Sequence, residues 1–327
     1  SDDSTDSSTE SGDSEPGDLP NDASDDASDD ATDDDATDDG AGQVDDTETP
    51  EQAVRDPMEL GDYAVVAGEE SYTTGDGTNV TIQTYVPDAS GSYPALIFGH
   101  GFMLTPDLYA SYGEHLASWG YVVLMPDFPG TMFSPTTHRV LKDYAIDLID
   151  WLEGEPGSLT GKVDIGKIGM TGHSLGGKVA LLVATEDSRV RAVFGLDAVD
   201  AAGGGPMDSG PTPDNPSVTP ELMGLIDVPF VSLGETLSGE GGGLFSSACA
   251  PAEDNYQQYY LHAEGPALEI TILNASHMSF LDNPNCGITC SVCTSGTDDT
   301  DMTRALAQRY MTAFFEATLH DHRGYLQ

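Results

Sequence analysis

Residues 172–177 have the residue types and spacing that could make Ser174 a nucleophile. They read Gly-His-Ser-Leu-Gly-Gly, after a run typical of a strand and before a run typical of a helix. So tight a turn forces the serine into strained backbone angles, and a side chain at Gly172 or Gly176 would collide with the strand or the helix. The first amides and the positive dipole end of the helix would face an oxyanion formed beside the serine. The flanking runs disfavour a chance match and predict a strand, a sharp turn and a helix that expose the hydroxyl group.

A serine hydroxyl needs a base that removes its proton, and that base needs a carboxylate that orients it. Of the eight histidines, His277 is the preferred base, because it follows the last predicted strand in the chain order serine, acid, histidine. His173 lies inside the turn and should point away from the nucleophile. The other histidines weighed for this role are assigned to the structure or to the charged C-terminal tail: His100, His115, His320 and His322.

Three carboxylates compete for the role of the acid. Asp197 and Asp200 follow one predicted strand, and Glu235 follows the next, where many enzymes with this chain order keep the acid. Position along the chain does not decide among them.

Strand and helix patterns alternate along the chain, which predicts an α/β protein. The predicted strands span residues 63–66, 80–85, 95–99, 121–125, 168–171, 190–194, 228–233 and 268–273. The predicted helices span about 107–119, 139–152 and 301–319, with one further helix directly after Ser174. This order predicts a doubly wound, mostly parallel sheet with helices on both faces, and the strand, turn and helix around Ser174 are typical of the α/β-hydrolase fold. In such sheets ligands bind beyond the carboxyl ends of the strands, where all the candidate residues lie.

Composition divides the chain into two parts. Residues 1–51 carry 21 acidic side chains and no Lys or Arg, so they are predicted to be a solvated, self-repelling, disordered linker. Their Asp pairs lack the fixed Gly and the terminal Glu of a calcium loop, which disfavours a calcium site. Residues 52–327 have the length and apolar content of one catalytic domain.

The predicted domain is itself acidic. Of the 57 acidic residues, 36 lie beyond Glu51 together with all 11 basic residues, which leaves that part a formal charge of −25. Nucleic acids and anionic membrane surfaces need clustered Lys or Arg, so neither is an expected partner. A hydrophobic ester is the expected partner, and a monomer is the expected state.

The chain is expected to be exported. It contains no run of eighteen apolar residues, so no membrane span is predicted. It begins at Ser1 without a Met or a signal-peptide pattern, as expected of a processed product or a trimmed chain. A long polar leader resembles the tether of bacterial surface lipoproteins, so we expect an extracellular or cell-surface location, with a lipid anchor upstream of Ser1 as one form of attachment.

The four cysteines support export. An even number of cysteines clustered late in a chain predicts disulfides, although their three pairings remain open: Cys249, Cys286, Cys290 and Cys293. Zinc is disfavoured, because there is only one Cys-x-x-Cys pair and no histidine ligand near it. No metal and no cofactor is expected. A disulfide between the first cysteine and any one of the later three would fix the loop that carries His277.

Several separated motifs resemble the chlorophyllase family and its bacterial relatives, from Tyr93 to the C-terminal helix. These motifs lie at residues 95–102, 116–123, 172–178 and 195–200, and the Cys-Ala-Pro at 249–251 and the late cysteine cluster also recur in that family. The motif at residues 195–200, Gly-Leu-Asp-Ala-Val-Asp, is similar to that family's Gly-Ile/Leu-Asp-Pro-Val. The resemblance implies that Asp197 is the acid, with Asp200 and then Glu235 as alternatives.

Two residues depart from the plant members of that family. Leu175 stands where they have arginine, and Ala198 replaces their proline. The pocket near the nucleophile therefore differs, and chlorophyll need not be the substrate.

The same motifs also resemble the group of platelet-activating-factor acetylhydrolases, cutinases and polyester hydrolases. That likeness implies that the backbone N–H of Phe102 is one oxyanion donor, and the fold in general makes the N–H of Leu175 the second. The implied activity is metal-independent hydrolysis of a carboxylic ester through an acyl-enzyme, with polyester hydrolysis or chlorophyllase activity as narrower alternatives. A surface-anchored binding protein that has lost the chemistry is the non-enzymatic alternative, which the complete set of candidate residues disfavours.

Apolar side chains expected at the surface near the nucleophile suggest a hydrophobic acyl or alcohol group. Besides Phe102, the candidates for substrate contacts are Met103, Leu104, Met132, Phe133, Met278 and Phe280.

Overall fold

The structure, a computed structural model, describes residues 55–131, 133–154, 156–202, 210–240 and 248–326. Residues 1–54, which include the predicted acidic linker, and the candidate Met132 lie outside the described residues.

Eight strands form one sheet in the spatial order β1-β2-β4-β3-β5-β6-β7-β8. They span Val65–Thr73 (β1), Asn79–Pro87 (β2), Tyr93–Gly99 (β3), Val122–Pro126 (β4), Val163–His173 (β5), Val190–Leu196 (β6), Phe230–Glu235 (β7) and Ala267–Ile272 (β8). β2 pairs antiparallel with β1 and β4, and every pairing from β4 to β8 is parallel. This order is that of the α/β-hydrolase fold, so the predicted fold class is confirmed.

Helices cover both faces of the sheet. They span Ala110–Ser118 (α1), His138–Glu153 (α2), Leu175–Ala184 (α3), Tyr256–Leu261 (α4), Ile288–Ser291 (α5) and Thr300–Thr318 (α6). Because side chains alternate along a strand, Ile97 of β3 packs with α2 and α3 on one face, whereas Leu96 and Phe98 pack with α1 and α6 on the other. The central strands are thus buried on both faces, which explains their nearly continuous apolar sequences.

The structure departs from the predicted elements mainly in the loops. β1 runs from residue 65 to 73, whereas the sequence predicted a strand at 63–66, because nine paired positions on β2 extend an edge strand that is mostly solvent-exposed. The helices α4 and α5 were not predicted, since each is too short to show a helical period. Tertiary packing explains α4: Tyr256 and Tyr259 are buried against the sheet, and the Asn255 side chain caps the helix by accepting a hydrogen bond from the Gln257 amide.

Two disulfides close the loops that follow β7 and β8. Cys249 pairs with Cys293, and Cys286 pairs with Cys290. The first bridge joins the segment after β7 to the segment after His277, and the two bridges together are one of the three pairings that the sequence left open. Beside it, the amide of Ala250 donates to the carbonyl of Ser238 at 3.2 Å.

Within the part of the chain that the structure describes, no helix has the length and apolar content needed to cross a membrane.

Candidate active site

Ser174 occupies a sharp turn between the end of β5 and the start of α3. Its backbone angles are φ 55° and ψ −120°, a region that residues with a side chain rarely adopt. Two glycines make room for the turn: a Cβ atom on Gly176 would lie 2.0 Å from the carbonyl oxygen of Gly99, and one on Gly172 would lie 2.5 Å from the carbonyl carbon of Gly176. The strain that the motif predicts is therefore present, and backbone contacts between β3, β5 and α3 sustain it.

Ser174, His277 and Asp197 form one chain of hydrogen bonds. The distance from Ser174 Oγ to His277 Nε2 is 2.9 Å, and the distance from His277 Nδ1 to Asp197 Oδ2 is 2.6 Å. A carboxylate can only accept, so Nδ1 carries the proton and Nε2 is free to accept from the serine. His277 and Asp197 are buried, whereas Ser174 is partly exposed. The hydroxyl group is thus the member of the three that faces solvent.

Asp200 is directed away from His277, although it follows the same strand as Asp197. Its carboxylate lies 3.1 Å from the ammonium group of Lys178, and both side chains are fully buried. It also accepts hydrogen bonds from the amides of Val218 at 2.9 Å and Thr219 at 2.8 Å. These bonds place Asp200 in a structural ion pair that holds the loop after β6.

Glu235 lies near the triad candidates, but its carboxylate stabilises the turn that follows β7. Its carboxylate accepts hydrogen bonds from the amides of Leu237 and Ser238, the latter at 3.1 Å. Burial, with the nearby Asp197 carboxylate as the second cause, raises the pKa of Glu235 to about 7. The carboxylate bonded to His277 is therefore the one that the family resemblance implies.

Ser238 is a residue of the site that sequence reasoning missed. It is fully buried, and its hydroxyl group accepts a hydrogen bond from the amide of His277 at 2.9 Å. No local pattern marks it, because the two residues are 39 positions apart and meet only in the folded chain. Glu235 orients the turn of Ser238, so it supports His277 indirectly.

The two candidate oxyanion amides belong to the turn after β3 and to the first residue of α3. Phe102 is inside a turn in which the Leu104 amide donates to the Gly101 carbonyl at 3.1 Å and Met103 has φ 61°. Leu175 is the first residue of α3, so its amide has no intrahelical acceptor. Both residues line the same cavity.

This cavity has a volume of about 210 Å³, and Leu175, the residue after Ser174, is part of its wall. Its walls come from the turn after β3, the segment after β4, and the helices α2 and α3, at residues 100–105, 127–131, 135–136, 141, 175–176 and 179. Most of these residues are apolar, and the half-exposed carboxylate of Asp127 is the one acidic group among them. A pocket of this kind binds an apolar group next to a few polar ones.

The substrate-contact candidates divide into two groups. Met103 and Leu104 line the cavity, although Leu104 is buried rather than exposed. Phe133 is 96% exposed, and neither it nor the partly buried Met278 lines the cavity. The expectation for Phe280 is wrong: it is fully buried in the core, where its ring lies 6.1 Å from that of His173, and no surface of it is open to a substrate.

His100 braces the cavity wall. Its Nε2 accepts a hydrogen bond from the amide of Phe128 at 3.1 Å, so Nδ1 carries the proton and donates to the carbonyl of Gly101 at 2.9 Å. Burial lowers the pKa of His100, which keeps the ring neutral in this role. The assignment of His100 to the structure agrees with these contacts.

Among the described residues, one group of three side chains has the spacing of a metal site: His173, Asp197 and His277. Both nitrogens of each imidazole ring already have hydrogen-bond partners at 2.6–2.9 Å. The donor set therefore fits proton transfer better than metal ligation.

Comparison with known proteins gives a consistent result. The sequence model of the chlorophyllase family matches residues 56–327. Chlorophyllase-2 of Arabidopsis thaliana is 26% identical over 246 residues, which cover 70% of this chain and 76% of the plant protein. A bis(hydroxyethyl) terephthalate hydrolase of Streptomyces coelicolor is 30% identical over 151 residues, covering 46% of each chain. Cutinase est1 of Thermobifida alba is 28% identical over 112 residues, covering 34% of this chain and 37% of the cutinase. This chain belongs to the chlorophyllase family and is a carboxylic-ester hydrolase.

Proposed function

We propose that the protein is an exported serine hydrolase that cleaves hydrophobic carboxylic esters through an acyl-enzyme. The observation that carries the proposal is the continuous chain of hydrogen bonds from Ser174 through His277 to Asp197. Two buried partners and one partly exposed hydroxyl group are what nucleophilic catalysis at a surface pocket requires.

In the first half of the reaction, Ser174 Oγ attacks the ester carbonyl carbon while His277 Nε2 takes the hydroxyl proton. The carbonyl oxygen becomes an oxyanion, to which the amides of Phe102 and Leu175 donate. Asp197 holds Nδ1–H and stabilises the imidazolium. When the intermediate collapses, His277 gives its proton to the leaving alcohol, and Ser174 retains the acyl group.

In the second half, water attacks the acyl carbonyl carbon and gives a proton to His277. The same two amides stabilise the second oxyanion. Collapse breaks the bond to Ser174 Oγ, which recovers its proton from the imidazolium, and the carboxylic acid leaves. His277 takes part in every proton transfer of both halves.

The cavity indicates the size of group that the enzyme binds next to the reacting carbonyl. A cavity of about 150 Å³ admits a benzene molecule, so the 210 Å³ here suits a single aromatic ring or a short acyl chain. We therefore favour small aromatic or short-chain esters, including soluble fragments of aromatic polyesters. A chlorophyll macrocycle would have to remain outside this cavity, with only a part of the substrate inside.

Export and the acidic leader belong to the same proposal. The two disulfides support an oxidising compartment, because intracellular thiols are usually kept reduced. Residues 1–51, with 21 acidic residues, would act as a charged linker before a catalytic domain at 52–327, consistent with a cell-surface or extracellular location.

The Ser174→Ala variant tests the proposal. We expect hydrolysis of a nitrophenyl butyrate to fall by at least about 10³-fold, because removing a triad nucleophile costs several powers of ten. A fluorophosphonate should add the mass of one phosphonyl group to the wild type and to the matched Ser90→Ala variant, which changes an exposed serine in the β2–β3 loop. More than about a tenth of wild-type activity in Ser174→Ala, or unchanged labelling of it, would refute the assignment.

A further inference from the structure

Three separate segments of the site meet at one fully buried side chain, His173. Its Nδ1 lies 2.8 Å from the hydroxyl oxygen of Tyr109, and its Nε2 lies 2.9 Å from the carbonyl oxygen of His277. The Tyr109 hydroxyl in turn lies 3.2 Å from the amide nitrogen of Gly101, the residue that opens the turn of Phe102. His173 itself directly precedes Ser174 in the chain.

Hydrogen-bonding chemistry fixes the direction of every bond in this series. A carbonyl can only accept, so His173 Nε2 carries the proton and donates to His277. Nδ1 must then accept, and the Tyr109 hydroxyl donates to it. The hydroxyl oxygen is left to accept from the Gly101 amide. Each group thus has one role, and reversing any bond would leave a buried polar group without a partner.

Burial, with the nearby His277 as the second cause, holds the pKa of His173 well below its usual value. The ring therefore stays neutral, and Nδ1 keeps the lone pair that accepts from Tyr109.

Close packing reinforces the bonds at Gly101. A Cβ atom at this glycine would lie 2.9 Å from Leu104 Cδ1, 3.2 Å from His173 Nδ1 and 3.3 Å from the Tyr109 hydroxyl oxygen. The turn therefore rests directly on the Tyr109–His173 pair and cannot shift without disturbing it.

We propose that Tyr109 and His173 are positioning residues that set the Phe102 amide relative to the His277 imidazole. The proposal rests on the proposed function, since it assigns the purpose of the bonds to the oxyanion turn and the base. Neither side chain touches the reacting atoms. They act through two backbone groups, the Gly101 N–H and the His277 C=O.

The Tyr109→Phe variant tests this directly, because it removes only the hydroxyl group. Removing an oxyanion donor outright costs about 10²–10³-fold in kcat. For a donor that is loosened but retained, we expect kcat to fall about tenfold, with KM nearly unchanged. Affinity for an alkyl boronic acid, which forms a tetrahedral adduct on the serine, should fall by a similar factor.

Tyr72→Phe is the matched control. Tyr72 is also buried, and its hydroxyl group makes one hydrogen bond, to the carbonyl of Tyr144 at 2.8 Å, between β1 and α2. Since Tyr109→Phe loses two hydrogen bonds, Tyr72→Phe should lower the melting temperature by a smaller amount, and it should leave kcat and boronic-acid affinity at wild-type values. All rates are expressed per active site titrated with fluorophosphonate, so that unfolded protein does not count.

His173→Gln is the second variant, for the case in which Tyr109→Phe does not fold. When the glutamine amide nitrogen takes the place of His173 Nε2, it can still donate to the His277 carbonyl. The amide oxygen then lies away from the former position of Nδ1 and does not accept from Tyr109, so kcat and boronic-acid affinity should again fall together. Wild-type values of both in the variant that folds, or a loss equal to that of Tyr72→Phe, would overturn the proposal. A wild-type protein that fluorophosphonate does not label would refute the proposed function instead.

Discussion

The proposed nucleophile and its two proposed partners are held in different ways. Ser174 is fixed by backbone contacts, because the elbow fits only where Gly172 and Gly176 lie against Gly99. Asp197 and His277 lie on loops after β6 and β8, and side chains hold them, among them Ser238. The first arrangement is local in sequence, whereas the second joins positions that are tens of residues apart.

This difference teaches where each part of the site is vulnerable. An elbow built on backbone contact has no adaptable neighbour, so a single added methyl group must displace a strand. The acid–base loops have several independent supports, including a buried ion pair and two disulfides, so losing one support should weaken them by degrees.

The greatest expected effect is at the elbow, in Gly176→Ala. Its Cβ atom would lie 2.0 Å from the Gly99 carbonyl oxygen, so we expect little folded protein and no esterase activity. Gly75→Ala is the control, because its Cβ atom would meet ordinary contacts of 3.5 Å or more. Circular dichroism and soluble yield measure the outcome, and a folded, active Gly176→Ala variant would contradict it.

The next effect separates the two aspartates after β6. Asp197→Asn should lower kcat by about 10³–10⁴-fold with little change in melting temperature, because the amide no longer fixes the proton on Nδ1 of His277. Asp200→Asn should do the reverse. It replaces the carboxylate beside the buried Lys178 ammonium group with a neutral amide, and breaking a buried ion pair costs about 3–5 kcal/mol of unfolding free energy, while the rate per folded molecule stays near wild type. Equal rates in the two variants would show that the acid is misassigned.

The two disulfides should differ in their contribution to stability. In the chain-entropy description, the Cys249–Cys293 bridge, with a sequence separation of 44, contributes about 4 kcal/mol, and the Cys286–Cys290 bridge contributes about 2 kcal/mol. Double Cys→Ser variants, compared by chemical denaturation, should therefore lose stability in that order. Heat inactivation should follow the same order, because the longer bridge closes the chain around His277. The opposite order would show that the base loop does not depend on the longer bridge.

Elements within a few residues of a motif could be predicted from sequence, and long-range contacts could not. The alternation of apolar strands and amphipathic helices gave the fold class, and the glycine spacing gave the elbow, because both depend on neighbours in the chain. Ser238 and Tyr109 meet their partners through folding alone. The choice of Asp197 as the proposed acid rested on the family resemblance, since three carboxylates follow suitable strands. The expectation for Phe280 was wrong because the sequence of a loop does not show whether an apolar side chain faces solvent or the core.

The last effect depends on pH and concerns Glu235. Its pKa is raised to about 7, so the folded protein binds this proton more tightly than the unfolded chain does, and stability falls as the pH rises from about 4.5 to 7. Glu235→Gln removes this titration while keeping an oxygen that can accept from Ser238. The variant should gain stability relative to wild type over that window, on the order of 3 kcal/mol by pH 8, because the pKa is raised from 4.5 to about 7 and each unit is worth about 1.4 kcal/mol. A difference in melting temperature that stays constant from pH 4.5 to 8 would show that Glu235 is ionised throughout.

The Asp127 carboxylate in the cavity wall affects what happens after catalysis. Each turnover converts a neutral ester into a carboxylic acid, which is ionised at neutral pH. The product carboxylate then lies in a cavity lined by Asp127, on a domain with a large net negative charge. Like charges a few ångströms apart repel by about 1 kcal/mol even in water, whereas the neutral ester feels no such repulsion. The site therefore favours departure of its product, and we expect weak product inhibition and little ester synthesis in the reverse direction.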